Sequence, residues 1–190
     1  MNRKNRKIFI LHEIYGVNDF IREQACAFMD KQTEVECVQL YRDELSFTYH
    51  QEKEAYQYFT NEIGFDAPLE ILFTLLSAAI QQYEKVIVIG YSVGATLAWR
   101  LATLPLYRVV CVYGSRIRQY LDLQPNCPTL ILLPSHEVSF NVEELSHALK
   151  HQYFVQTIQF PGKHGFMDRY NASFHQESAM LAQTYIKQFL

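Results

Sequence analysis

The chain is short of several things, and each shortage closes off a class of protein. No excess of either charge is present: 17 Lys and Arg stand against 20 Asp and Glu in 190 residues, a formal net charge of −3. A weakly acidic chain offers no electrostatic footprint for nucleic acid. No run approaches the roughly 18 apolar residues of a membrane span. The first apolar run, Ile8-Phe9-Ile10-Leu11, halts at His12-Glu13, short of the roughly 7–15-residue core of a secretory signal. Cysteine is scarce: Cys26, Cys37, Cys111 and Cys127 are scattered and form no C-x-x-C pair. That spacing points to reduced thiols in a cytoplasmic protein, with Cys37 and Cys111 as small strand hydrophobes. No repeat, linker or low-complexity tract divides the chain, so 1–190 reads as one domain. Arg3, Lys4, Arg6 and Lys7, ahead of the first apolar run, read as a solvated N-terminal tail.

What the chain does have is alternation. Apolar, β-branched runs predict strands at Lys7–Leu11, Val35–Leu40, Lys85–Ile89, Arg108–Tyr113, Thr129–Leu133 and Phe154–Gln159. Helical spacing predicts helices at Asp19–Asp30, Pro68–Gln82, from about Val93 to Thr103, Val142–Lys150 and Asn171–Phe189. Strands separated by helices imply βαβ units, hence an α/β fold with a mostly parallel six-stranded sheet in a three-layer α/β/α sandwich. Tyr41–Asp66 has no clean period, apart from a short helical stretch at Glu52–Asn61. Its aromatics, Phe47, Tyr49, Tyr56, Tyr58, Phe59 and Phe65, suit either a lid or pocket wall or plain packing onto the core.

One pentapeptide carries chemistry. Gly90-Tyr91-Ser92-Val93-Gly94 stands between a predicted strand and an alanine-rich helix, the setting of the nucleophile elbow in an α/β-hydrolase. So tight a turn needs glycine at both ends, and it projects the serine beside a helix N-terminus. A serine hydroxyl needs a base to become nucleophilic. Of the seven histidines, His164 is best placed, in Gly162-Lys163-His164-Gly165-Phe166 after the last predicted strand. Loops at the carboxyl ends of parallel strands face one crevice. An acid should lie between Ser92 and His164 in the chain, after a strand. Glu137 fits, following Pro134-Ser135-His136; a solvated loop carboxylate is the other reading. The amides of Val93 and Ile14 are the candidate oxyanion donors. His147 and His151 lie one helical turn apart, but no H-E-x-x-H pattern or third ligand accompanies them, and a solvated helix face explains them better.

Taken together, these pieces resemble the dienelactone hydrolase family of small α/β-hydrolases. The resemblance rests on Glu13-Ile14-Tyr15-Gly16, Leu40-Tyr41, Gly90 to Gly94, Tyr113-Gly114, His164-Gly165-Phe166 and a terminal helix ending Phe189-Leu190. It implies a nucleophile at Ser92, a base at His164 and an acid after the fifth strand. It also implies a minimal α/β-hydrolase sheet ordered 2-1-3-4-5-6. Glu13 is implied as a second active-site contact, with a buried structural carboxylate as the other reading, and Tyr91 is a further candidate contact. Pro134-Ser135-His136-Glu137 departs from the family's usual Gly-x-x-Asp, and the nucleophile is serine where many members carry cysteine. The expected activity is hydrolysis of a small-molecule carboxylic ester or lactone without metal or organic cofactor. The rival expectation is a hydrolase-like protein that binds a small molecule or partner without turning it over.

Overall fold

The computed structural model describes residues 4–190; Arg3 of the basic cluster lies outside them. Six parallel strands form the sheet: β1 (Lys4–Leu11), β2 (Thr33–Val38), β3 (Tyr83–Tyr91), β4 (Arg108–Val112), β5 (Thr129–Pro134) and β6 (Val155–Phe160). Their order is β2-β1-β3-β4-β5-β6. The helices are α1 (Asp19–Phe28), α2 (Glu52–Tyr58), α3 (Asp66–Gln82), α4 (Val93–Leu101), α5 (Val142–Leu149) and α6 (Gln176–Phe189).

A parallel sheet covered on both faces needs strands that are apolar on both sides, and the central strands supply this residue by residue. Val86 and Val88 of β3 pack with Leu72 and Leu76 of α3 and Leu97 and Leu101 of α4. Ile87 and Ile89, one position out of phase, pack with Phe20 and Ile21 of α1 and Ala182 and Ile186 of α6. The period of two therefore sorts one strand into two cores. A third cluster, built on Ile14, Tyr41, Ala55, Phe59 and Val93, lies outside the sheet's carboxyl end. No single helix among the described residues is long and apolar enough to cross a membrane.

Three expectations need correction. Arg6 and Lys7 are not a solvated tail. They belong to β1, where Arg6 pairs with Asp30 at 2.9 Å and Lys7 meets Glu34 and Glu36 at 2.7 Å each. Strand pairing with β2 brings Glu34 and Glu36 alongside Lys7, so the cations are held within the sheet. Within residues 41–66 the short helix expected at Glu52–Asn61 stands as α2 and a π-helical turn at Phe59–Ile63, and the stretch expected to be irregular ahead of it carries 3-10 turns at Arg42–Glu44 and Tyr49–Gln51. Finally, α6 starts at Gln176 rather than Asn171, because Asn171 and His175 act as turn and cap residues. Asn171 Oδ1 accepts from Ser173 N, and His175 Nδ1 accepts from Ser178 N.

Candidate active site

The turn around Ser92 is built by contacts that exclude side chains. A Cβ on Gly90 would lie 2.1 Å from Gly94 O, and one on Gly94 would lie 2.4 Å from Leu11 O. Between them Ser92 adopts φ 54° and ψ −112°, a backbone region that costs on the order of 1–3 kcal/mol and persists only where the surroundings enforce it. Here Ser92 N donates to Val112 O at 3.0 Å, and Ser92 O accepts from Ala95 N and Thr96 N. The strain aims the Oγ out of the sheet.

Three loops deliver the remaining groups. His164, after β6, places Nε2 at 2.8 Å from Ser92 Oγ. Glu137, after β5, places Oε1 at 2.7 Å from His164 Nδ1. A carboxylate only accepts, so Nδ1 carries the hydrogen and Nε2 presents its lone pair to the serine hydroxyl. The two loops are tied together by Ser135 N to Phe160 O at 2.7 Å and His136 N to Gly162 O at 3.1 Å. Burial lowers the His164 pKa, but the Glu137 hydrogen bond and charge, helped by Glu13 and Glu52, outweigh it and hold the value above that of an ordinary histidine.

The amides of Ile14 and Val93 meet no backbone acceptor among the described residues, and both residues line the cleft. The Tyr41 hydroxyl donates to Ile14 O at 2.6 Å, which fixes the peptide that follows and stiffens the loop. In the sequence Tyr41 stands out only within Leu40-Tyr41, one of the pieces that carry the resemblance, with no role attached to it.

Glu13 is almost wholly buried, and neither its Oε2 nor the nearby Tyr113 hydroxyl meets a partner in good hydrogen-bond geometry. Burial first, then the charge of Asp168, push its pKa up to about 7, against weaker pulls from His164 and Tyr113. No hydrogen bond joins it to Ser92 among the described residues. Tyr91 does not face the cleft. Strand alternation turns it to the opposite side, where its hydroxyl donates to Gln24 Oε1 at 3.0 Å and its ring meets Phe20.

Ser92, His164 and Glu137 open onto a cavity of ≈ 560 Å³, walled on one side by Glu52, Tyr56 and Phe65. Residues 41–66 thus contribute a wall. Arg116, Arg118 and Lys163 also line it, with Arg116 donating to the Tyr56 hydroxyl at 2.8 Å. No group of three or more His, Cys, Asp or Glu gathers in metal-binding fashion among the described residues.

The model of the dienelactone hydrolase family matches residues 1–190. The chain belongs to that family. Among its relatives is the uncharacterized protein YczH of Bacillus subtilis (strain 168), 35% identical over 164 residues, which are 84% of this chain and 79% of YczH. The fold is shared with a protein from Klebsiella pneumoniae subsp. pneumoniae MGH 78578 proposed to be a dienelactone hydrolase. Its TM-score is 0.82 at 21% identity, over 99% of this chain and 87% of that one. It is also shared with P91, a dienelactone hydrolase-like promiscuous phosphotriesterase from metagenomic libraries. There the TM-score is 0.78 at 15% identity, over 100% and 87%. The family of this chain is one of hydrolases, and its fold is shared with these solved structures.

Proposed function

We propose that this dienelactone hydrolase family member is a serine-type hydrolase of carboxylic esters or lactones. The single observation that carries the reading is the continuous chain from Ser92 Oγ through His164 to Glu137, with contacts of 2.8 and 2.7 Å, opening on a cleft. In this reading His164 Nε2 takes the serine proton as Oγ attacks the substrate carbonyl. The tetrahedral oxyanion rests on the amides of Ile14 and Val93, each such donor being worth about 3–4 kcal/mol of barrier. Glu137 stabilises the imidazolium, which then hands the proton to the departing alkoxide. Water, deprotonated by the same nitrogen, attacks the acyl-serine; collapse returns Oγ its proton and frees the acid. A lactone follows the same steps, its alkoxide remaining tethered to the acid.

The rival reading, binding without turnover, draws on the unusual Pro134-Ser135-His136-Glu137 turn. That turn nevertheless brings a carboxylate to hydrogen-bond distance from His164, which supports the enzymatic reading. Ser92→Ala should reduce hydrolysis of short p-nitrophenyl esters to background, and abolish labelling by a fluorophosphonate probe, with circular dichroism unchanged. Wild-type turnover in that folded variant would remove the assignment.

A further inference from the structure

Behind His164 lies a carboxylate that the proposed chemistry does not use. Asp168 follows His164 by four residues and is fully buried. Its Oδ2 accepts from the Tyr49 hydroxyl at 2.5 Å and its Oδ1 from Tyr170 N at 2.9 Å. Its backbone braces the same loop, with Asp168 N donating to Gly165 O at 2.9 Å and Asn171 N donating to Asp168 O at 3.0 Å.

Tyr49 comes from elsewhere. It opens the 3-10 turn that runs into α2, three residues before Glu52, the first residue of the cleft wall. Its ring lies 4.7 Å from that of Tyr15, in the loop that carries Ile14. Its oxygen also accepts from Nδ2 of Asn18, the N-cap of α1, at 3.0 Å. Burial, and then the Asp168 carboxylate, raise the Tyr49 pKa well above that of an ordinary phenol, so the hydroxyl keeps its proton and donates. The loops that follow β1, β2 and β6 therefore meet at one phenolic oxygen.

We propose that Asp168 is a positioning residue of this cleft: by gripping the Tyr49 hydroxyl it fastens the 41–66 wall to the loop that carries His164. The wall has other anchors. Ala55 and Phe59 are buried against the core, and Phe47 N donates to Tyr15 O at 2.9 Å. Loss of the grip accordingly loosens the wall without unfolding it, and the cost falls on substrate binding. His164 keeps its own partners, so the chemical step changes little.

The kinetic arm of the test rests on the esterase reading; a second arm does not. Tyr49→Phe keeps the ring on Tyr15 and deletes only the hydroxyl, while Asp168→Asn keeps the shape and deletes the charge. For short p-nitrophenyl esters, KM should rise about tenfold, the scale of one hydrogen bond to a charged group. In the same assays kcat should stay within about twofold, the pattern of lost binding rather than lost chemistry. The double variant should be no worse than Tyr49→Phe alone, since the phenylalanine has already removed the donor that Asp168 grips. In the second arm, backbone amides of residues 49–63 should exchange hydrogen faster in both variants, with β-sheet amides unchanged. Wild-type KM and exchange in Tyr49→Phe overturn the proposal. So does an equal fall in kcat and kcat/KM with exchange raised throughout, which marks a carboxylate that merely holds the fold. Should Asp168→Asn fail to fold, Tyr49→Phe decides alone. Should the chain hydrolyse no ester and Ser92 take no fluorophosphonate, the esterase reading falls, and exchange over 49–63 still decides the fastening.

Discussion

Glu137 and Glu13 follow the carboxyl ends of two parallel strands and both bear on His164, yet the fold treats them in opposite ways. Glu137 has a partner: Nδ1 of the histidine sits 2.7 Å from its Oε1 and donates to it. Glu13 is sealed in with Oε2 unpartnered and the Asp168 carboxylate nearby, and its pKa climbs to about 7. One residue type is thus hydrogen-bonded to the histidine in one loop and held back from ionising by burial in the other. The difference lies in who supplies the proton contact, not in strand position.

The sharpest way to break that contrast is Glu137→Gln. If Glu137 alone orients and charges the imidazole, kcat for ester hydrolysis should fall by about 10³–10⁴, the scale of losing the tautomer-fixing acid. The sign of the pH effect is also set. Glu137 favours the imidazolium and raises the His164 pKa. Its removal should therefore shift the rising limb of the kcat/KM–pH profile toward acid. A loss of only a few-fold, with the limb unmoved, would mean that Glu13 or Glu52 substitutes for it.

Next in size is Glu13→Gln. Because the folded-state pKa is raised from 4.5 to about 7, the native chain holds a proton that the unfolded chain has released across that window. Stability from this group is therefore full below about pH 4.5, drains away as pH rises to about 7 and is flat beyond. The glutamine variant lacks that slope, so relative to wild type it should gain about 3 kcal/mol between pH 4 and pH 8. His12, pushed down to about 4 chiefly by burial, slopes the other way. Urea unfolding of variant minus wild type is accordingly the measurement, and a pH-independent difference would show that Glu13 ionises as freely as an exposed carboxylate.

The smallest effect sharpens the comparison at the oxyanion loop. Tyr41→Phe removes the donor to Ile14 O and should lower stability by about 1 kcal/mol. Activity should fall by about fivefold through a less rigid Ile14 amide. An unchanged kcat would separate that loop from the oxyanion role.

How far the sequence foretold this molecule depends on the range of the forces involved. The elbow was legible because its signature is a local one of strand, Gly-x-Ser-x-Gly and helix, and Gly90 answers to a clash with Gly94 inside the turn, although Gly94 answers to the Leu11 and His12 carbonyls at the end of β1. His164 and Glu137 were legible through strand order, since each follows a parallel strand and the carboxyl ends share one crevice. Residues 41–66 were opaque because the helix type changes from 3-10 to α to π within the segment, and each change breaks the phase of the apolar pattern. The Arg6 and Lys7 pairings needed the register of β1 on β2, which no local signal carries. Asp168 was missed for a plainer reason: a buried aspartate and an exposed one are the same letter, and only Tyr49, 119 residues away, tells them apart.

Gly94 seats α4 directly upon the carbonyls of Leu11 and His12. The helix that opens with Val93 and the loop that carries Ile14 thus bear on each other with no spacer, and backbone alone gauges the gap between the two amides. A lone methyl at that seat would wedge those two amides apart, however well the side chains around them were chosen.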